Sequence, residues 1–233
     1  MATSTGKSTQ ASKAETLVDT IYRDTRKRLN SGDWHPGDRL LDYELAERFG
    51  CTRMPVRQAL LRLVNEGLLN STTRGFQVPV LTDAMVRDIF ELRRILEPAA
   101  AALAVNIADR DQLNAGLSKA IDLAKVAMVH KDAALMFSAN ASFRQAWLQC
   151  VHNERLLDAI AMSADHANQV RFANTSDTDS YQATVEALEK LGKALTSGDP
   201  EYARTEMVGF LKLAEASYFL RRQQVDPTPA FGS

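Results

Sequence analysis

Cysteine is scarce in this chain. Its 233 residues include only Cys51 and Cys150, which make neither a disulfide framework nor a metal-ligand spacing. Histidine is scarce too: His35, His130, His152 and His166 are scattered, and none sits at a zinc-type interval from another. No apolar run approaches the ~18–20 residues needed to cross a bilayer. The polar, Ser/Thr-rich start lacks the apolar core of a signal peptide. A cytoplasmic chain is therefore expected. No Gly-rich phosphate loop and no Gly-x-Ser-x-Gly elbow occurs, so the usual marks of an enzyme are missing.

The sequence does offer an ordinary globular composition, 45% hydrophobic and 24% charged, with length for two domains. Its net charge of −1 hides an asymmetry: residues 1–80 hold 12 Lys and Arg against 9 acids, the remainder 16 against 20. A basic first part beside an acidic second part suits a domain that meets phosphates next to one that does not.

The patterning divides the chain further. Residues 1–13 read as a flexible tail. Leu17, Ile21 and Leu29 recur at near-helical spacing, which predicts an amphipathic helix over 14–29. Gly32, Pro36 and Gly37 break it. Short helices are expected over 43–49 and 53–66, the first stopped at Gly50, the second opened by Thr52 as cap with Pro55 tolerated in its first turn. Residues 68–80, with Thr72-Thr73-Arg74-Gly75 between β-compatible stretches, read as a hairpin. Long Ala- and Leu-rich helices follow, over 83–108, 110–129, 132–151, 154–172, 179–196 and 200–222. Asp199-Pro200 is a strong start signal for the last. Residues 223–233 read as a second tail. The fold class is thus mainly α. A helix-turn-helix with a wing is expected over 14–80, and an antiparallel all-helical bundle over 81–222.

Residues 40–80 contain the parts that a DNA reader needs. Leu45 and Ala46 face Val56, Leu60 and Leu63, with Gly50-Cys51 as the turn between. Arg53 and Arg57 lie four apart and share a helix face. An Arg at the start of a recognition helix can fork onto guanine, worth ~1–3 kcal/mol of discrimination. Thr52 can donate to a phosphate, which fixes register. The run LDYELAERFGCTRMPVRQAL over residues 41–60, with EGLL at 66–69 and RGF at 74–76, resembles the signature of the GntR family. That resemblance covers residues 14–80 and implies DNA contacts from Thr52, Arg53, Arg57, Arg74 and Gly75. Met54 stands among them where the family commonly has a small or hydroxylated residue, so operator sequence does not carry over.

The second part is similar to the FCD effector domain of the FadR-type branch of that family. The likeness rests on LRRILEPAA at 92–100, on Phe143 to Leu156, and on the stretch from Ala194 to Asp199 with Ala203 and Met207. Many such domains hold a divalent metal through an Asp, a His four residues later, and two further His. Aligned on these motifs, those positions fall on Asn140, Arg144, Leu188 and Phe210, none an ordinary ligand of that type. No metal and no cofactor is therefore expected. Arg144 can supply fixed positive charge in the metal's place, with Arg93 or Arg94 beside it, one of which must face inward. Leu188 and Phe210 would then form an apolar wall. The anticipated effector is a small organic acid bound through its carboxylate. The alternative is that Leu188 and Phe210 merely fill the old site, while Arg144 pairs with a carboxylate of the chain.

The resemblance implies a homodimer presenting two winged helices to a pseudo-palindromic operator in double-stranded DNA; the lack of a spanning apolar run leads to no membrane partner being expected. It implies transcription regulation, by default repression relieved by a metabolite. The rivals are an enzyme with an appended helix-turn-helix, and an effector-independent DNA-binding dimer with a plugged pocket.

Overall fold

In the computed structural model the described residues are 16–106, 110–172 and 178–225. The chain divides into two compact units, Met1–Val78 and Pro79–Ser233.

The first unit holds helices α1 (Leu17–Ser31), α2 (Asp42–Arg48) and α3 (Arg53–Asn65), and strands β1 (Arg39–Leu40), β2 (Asn70–Thr72) and β3 (Gly75–Gln77). A capping box opens α1: Thr16 accepts from the Asp19 amide, and the Asp19 carboxylate accepts from the Thr16 backbone N–H. The helix ends at Gly32 in the left-handed conformation. Ile21, Tyr22, Thr25 and Leu29 form its buried face. They pack with Leu45 and Ala46 of α2 and with Val56, Ala59, Leu60 and Leu63 of α3, all within one core. Tyr22 closes this core on its polar side. Its hydroxyl donates to Glu66 at 2.6 Å, and Arg62 stacks over its ring at 3.8 Å.

The strands form an antiparallel sheet of order β1-β3-β2, with Leu40 and Ser71 both opposite Phe76. Phe76 is fully buried and pins the wing to the helices. The hairpin was legible in the sequence, but β1 was not. A two-residue strand is too short to show a period.

In the second unit, α4 (Asp83–Ala104), α5 (Arg110–His130), α6 (Ala133–Leu148), α7 (Glu154–Phe172), α8 (Thr178–Thr196) and α9 (Pro200–Val225) make a helical bundle. Helix α4 packs on α7 and α9, α5 on α6 and α8, and α8 on α9. Thr82 caps α4, Asp132 caps α6, and the Asp199 carboxylate accepts from the amides of Glu201 and Tyr202 to open α9. Three helix C-terminal ends differ from expectation by three residues or more, among them that of α6, which stops at Leu148 rather than 151. Helix α4 stops at Ala104 rather than 108, and α9 runs through Val225, so residues 223–225 are helix rather than tail. The expected tail over 1–13, the first two residues of the helix expected from 14, residues 226–233 and the side chain of His166 lie outside the described residues.

Small side chains dominate the bundle's centre: Ala100, Ala101, Ala104, Ala120, Ala124, Ala127, Ala139 and Ala203 all pack within it. They let the helices approach closely around Phe143 and Trp147, both buried. Among the described residues no helix is long and apolar enough to cross a membrane.

Candidate nucleic-acid interface and candidate effector site

Helix α3 presents the residues expected to read DNA. Thr52 occupies its N-cap position, yet its side chain makes no capping bond, contrary to the sequence expectation. Met54 is 64% exposed. Arg53 and Arg57 are exposed along most of their length, yet both turn their guanidinium groups to Asp42 at the start of α2. Arg53 donates to one Asp42 oxygen through Nε at 3.1 Å and Nη2 at 2.6 Å. Arg57 Nη1 stands 3.7 Å from the other oxygen. Asp42 itself is buried, with 6% of its surface exposed. Local periodicity gives no sign of this acid, because its partners lie 11 and 15 positions away.

On the wing, Arg74 is exposed between β2 and β3, and its backbone N–H donates to the Thr72 hydroxyl. Gly75 has a structural reason to be glycine. Its φ is +119°, and a Cβ there would sit 3.0 Å from the Leu40 carbonyl oxygen and 3.1 Å from Leu41 Cδ2. The close approach of β3 to β1 therefore requires the missing side chain.

In the bundle, Arg93 turns inward and is 1% exposed, whereas Arg94 ion-pairs with Glu215 of α9. Of the two candidates only Arg93 joins the site. Its Nε donates to Glu97 at 2.7 Å, and Arg144 Nη1 from α6 reaches the same Glu97 oxygen at 3.0 Å. Burial alone pushes the Glu97 carboxyl up, but the charges of Arg144 and Arg93, with their hydrogen bonds, outweigh that and bring it down to about 2. Arg93 Nη1 is buried and has no hydrogen-bond partner. Two guanidinium groups thus share one buried carboxylate, Arg93 buried with it and Arg144 partly exposed.

Asn140, one turn before Arg144, donates its amide to the Met136 carbonyl at 2.9 Å. Leu188 is fully buried, and Phe210 packs against the same core. These four residues do not fit a divalent cation: a guanidinium held by an ion pair stands at one position and hydrocarbon at two. Glu97 was not singled out from sequence, although its spacing of four from Arg93 was there to be read.

Family models match both units. The model for bacterial regulatory proteins of the gntR family matches residues 17–77, and the FCD domain model matches residues 88–212. The chain belongs to the GntR family of bacterial regulators and carries its FCD domain. Among its relatives, YdhC of Bacillus subtilis, an uncharacterized HTH-type transcriptional regulator, is 29% identical over 64% of this chain and 66% of its own length. The transcriptional regulator McbR of Escherichia coli is 33% identical over 58% of this chain. The matches thus span somewhat under two thirds of either relative, 66% of YdhC and 61% of McbR. The structure of E. coli McbR/YncC superposes with a TM-score of 0.78 at 25% identity, covering 91% of this chain and all of that one. The gluconate operon transcriptional repressor of B. subtilis is 34% identical over 52% of this chain and 49% of its own length. This family member keeps the winged helix-turn-helix and the FCD bundle, and its relatives are transcription regulators rather than enzymes.

Proposed function

We propose that the protein is a sequence-specific DNA-binding repressor, controlled by a small organic acid that its helical domain binds without metal. For DNA reading, the support is the paired exposure of Arg53 and Arg57 on α3, with Thr52 at its N-terminus and Arg74 on the wing. A repressing role agrees with the name of the gluconate operon relative. The protein works as a homodimer on a pseudo-palindromic operator, and exposed Leu92, Ile95 and Leu103 on α4 offer apolar surface for self-association.

The observation that carries the effector assignment is the buried guanidinium of Arg93, with Nη1 unpartnered beside a carboxylate already shared with Arg144. An incoming carboxylate satisfies that donor and pairs with the guanidinium that carries it. Binding shifts the regulator only in so far as the ligand prefers one bundle arrangement to the other, changing the spacing of the two DNA-binding units.

A second reading rests on Glu97. An internal carboxylate already holds both arginines, and Leu188 and Phe210 fill the remaining positions, as a plugged pocket in an effector-independent dimer requires. A thermal-shift screen of chelator-treated protein against small carboxylic acids and sugar acids separates the two. A ligand at 100 times its Kd adds about 2.7 kcal/mol to the folded state. A hit that survives chelation and is lost in Arg144→Ala supports the anion site. No hit and no chelator effect supports the plugged bundle, and a loss of stability on chelation contradicts both.

A further inference from the structure

We infer that Asp42 is a specificity-determining positioning residue: it braces Arg53 and Arg57 so that their free edges meet the bases. The inference rests on the DNA-reading role proposed above for α3.

A guanidinium has two hydrogen-bonding edges, one formed by Nε and one terminal nitrogen, the other by the two terminal nitrogens. Arg53 spends the first edge on Asp42, through Nε and Nη2. Its second edge remains to fork onto the O6 and N7 of a guanine. Without a brace, a long exposed arginine samples many rotamers, and each contact must order it anew. Asp42 removes that freedom before DNA arrives. The same carboxylate reaches Arg57 one turn further along α3, so one buried acid sets the aim of two exposed cations.

Three features suit Asp42 to this task. It opens α2, where a helix N-terminus favours negative charge. It is buried, so its own rotamer is fixed by packing. It belongs to the helix preceding the recognition helix, so the two-helix geometry sets where the arginines point. The brace also opposes indiscriminate binding, because a carboxylate among phosphate-seeking cations weakens contacts that lack the right bases.

The test is selection from a randomised DNA duplex pool by the full-length protein. The affinities of parent and Asp42→Asn for the selected duplex and a shuffled one are then compared at one salt concentration. The variant keeps the shape and loses the charge. The expected result is a roughly tenfold or greater fall in the ratio of selected to shuffled affinity, with shuffled affinity unchanged or raised. In an Arg53→Ala, Arg57→Ala background the same change is expected to leave the ratio where it is. An unchanged ratio in the otherwise parental chain overturns the brace, as does an equal fall for both duplexes. A parent that enriches no sequence overturns the DNA-reading role, and the brace with it. An independent reading needs no change at Asp42: in NMR spectra of the full chain, the Arg53 Nε–H is expected to exchange with solvent more slowly than that of exposed Arg74. Equal exchange rates contradict the brace.

Discussion

Replacing Glu97 by Gln tests the electrostatic account of the bundle. The change keeps the side chain's size and removes the charge that pairs with both Arg93 and Arg144. Its cost follows from the carboxyl's own titration. A fall from 4.5 in the unfolded chain to about 2 in the folded one corresponds to about 3 kcal/mol, at ~1.4 kcal/mol per unit. Removing one partner of a buried pair costs ~3–5 kcal/mol by an independent rule, so the two agree in size. For a bundle of this length that is a fall in Tm of roughly 6–12 °C. The folded pKa is depressed, so the stabilisation is complete above pH 4.5 and is lost as pH falls towards 2. Circular dichroism melts at pH 7 and pH 3 read both effects. At pH 7 the E97Q variant melts well below the parent, and at pH 3 the gap narrows. A variant within 2 °C of the parent at pH 7 refutes the claim that Glu97 is ionised and holds the two arginines.

Three further outcomes follow from the geometry. Gly75→Ala is expected to destabilise the winged unit by at least about 1 kcal/mol, read by thermal unfolding, because the new Cβ meets the Leu40 carbonyl at a φ that L residues rarely adopt. Thr82→Ala removes the hydroxyl that accepts from the Met85 amide and is expected to cost the bundle about 1 kcal/mol in urea unfolding. Arg74→Ala is expected to weaken binding to selected and shuffled duplexes alike, and to lower the slope of log affinity against log salt by about one. A loss confined to the selected duplex would show instead that Arg74 reads bases.

The sequence and the structure agree most closely where the signal is local. Helix α7 begins and ends where periodicity placed it, and α9 starts at Pro200 because Asp199 and proline together leave few alternatives. Arg53 and Arg57 were identifiable because helical spacing alone puts them on one face. What escaped was tertiary. Asp42 and Glu97 are buried carboxylates whose meaning depends on cations brought from other helices, Arg53 and Arg57 from α3 to the first and Arg144 from α6 to the second, and charge patterning reads such acids as surface. Arg93 and Arg94 differ by one position, so the sequence says that one turns inward without saying which. The structure gives Arg93 to Glu97 and Arg94 to Glu215. Thr52 shows the converse: a good capping residue in the capping position, whose hydroxyl is not used for the cap.

The central claim is that α3 reads DNA through its arginines. The most direct measurement is the affinity of the full chain for its selected duplex and for a shuffled one, with and without the paired Arg53→Ala and Arg57→Ala changes, at fixed salt. The parent is predicted to prefer the selected duplex by roughly a thousandfold or more, and the double variant to lose most of that preference while remaining folded. Equal preference in parent and double variant would contradict the account.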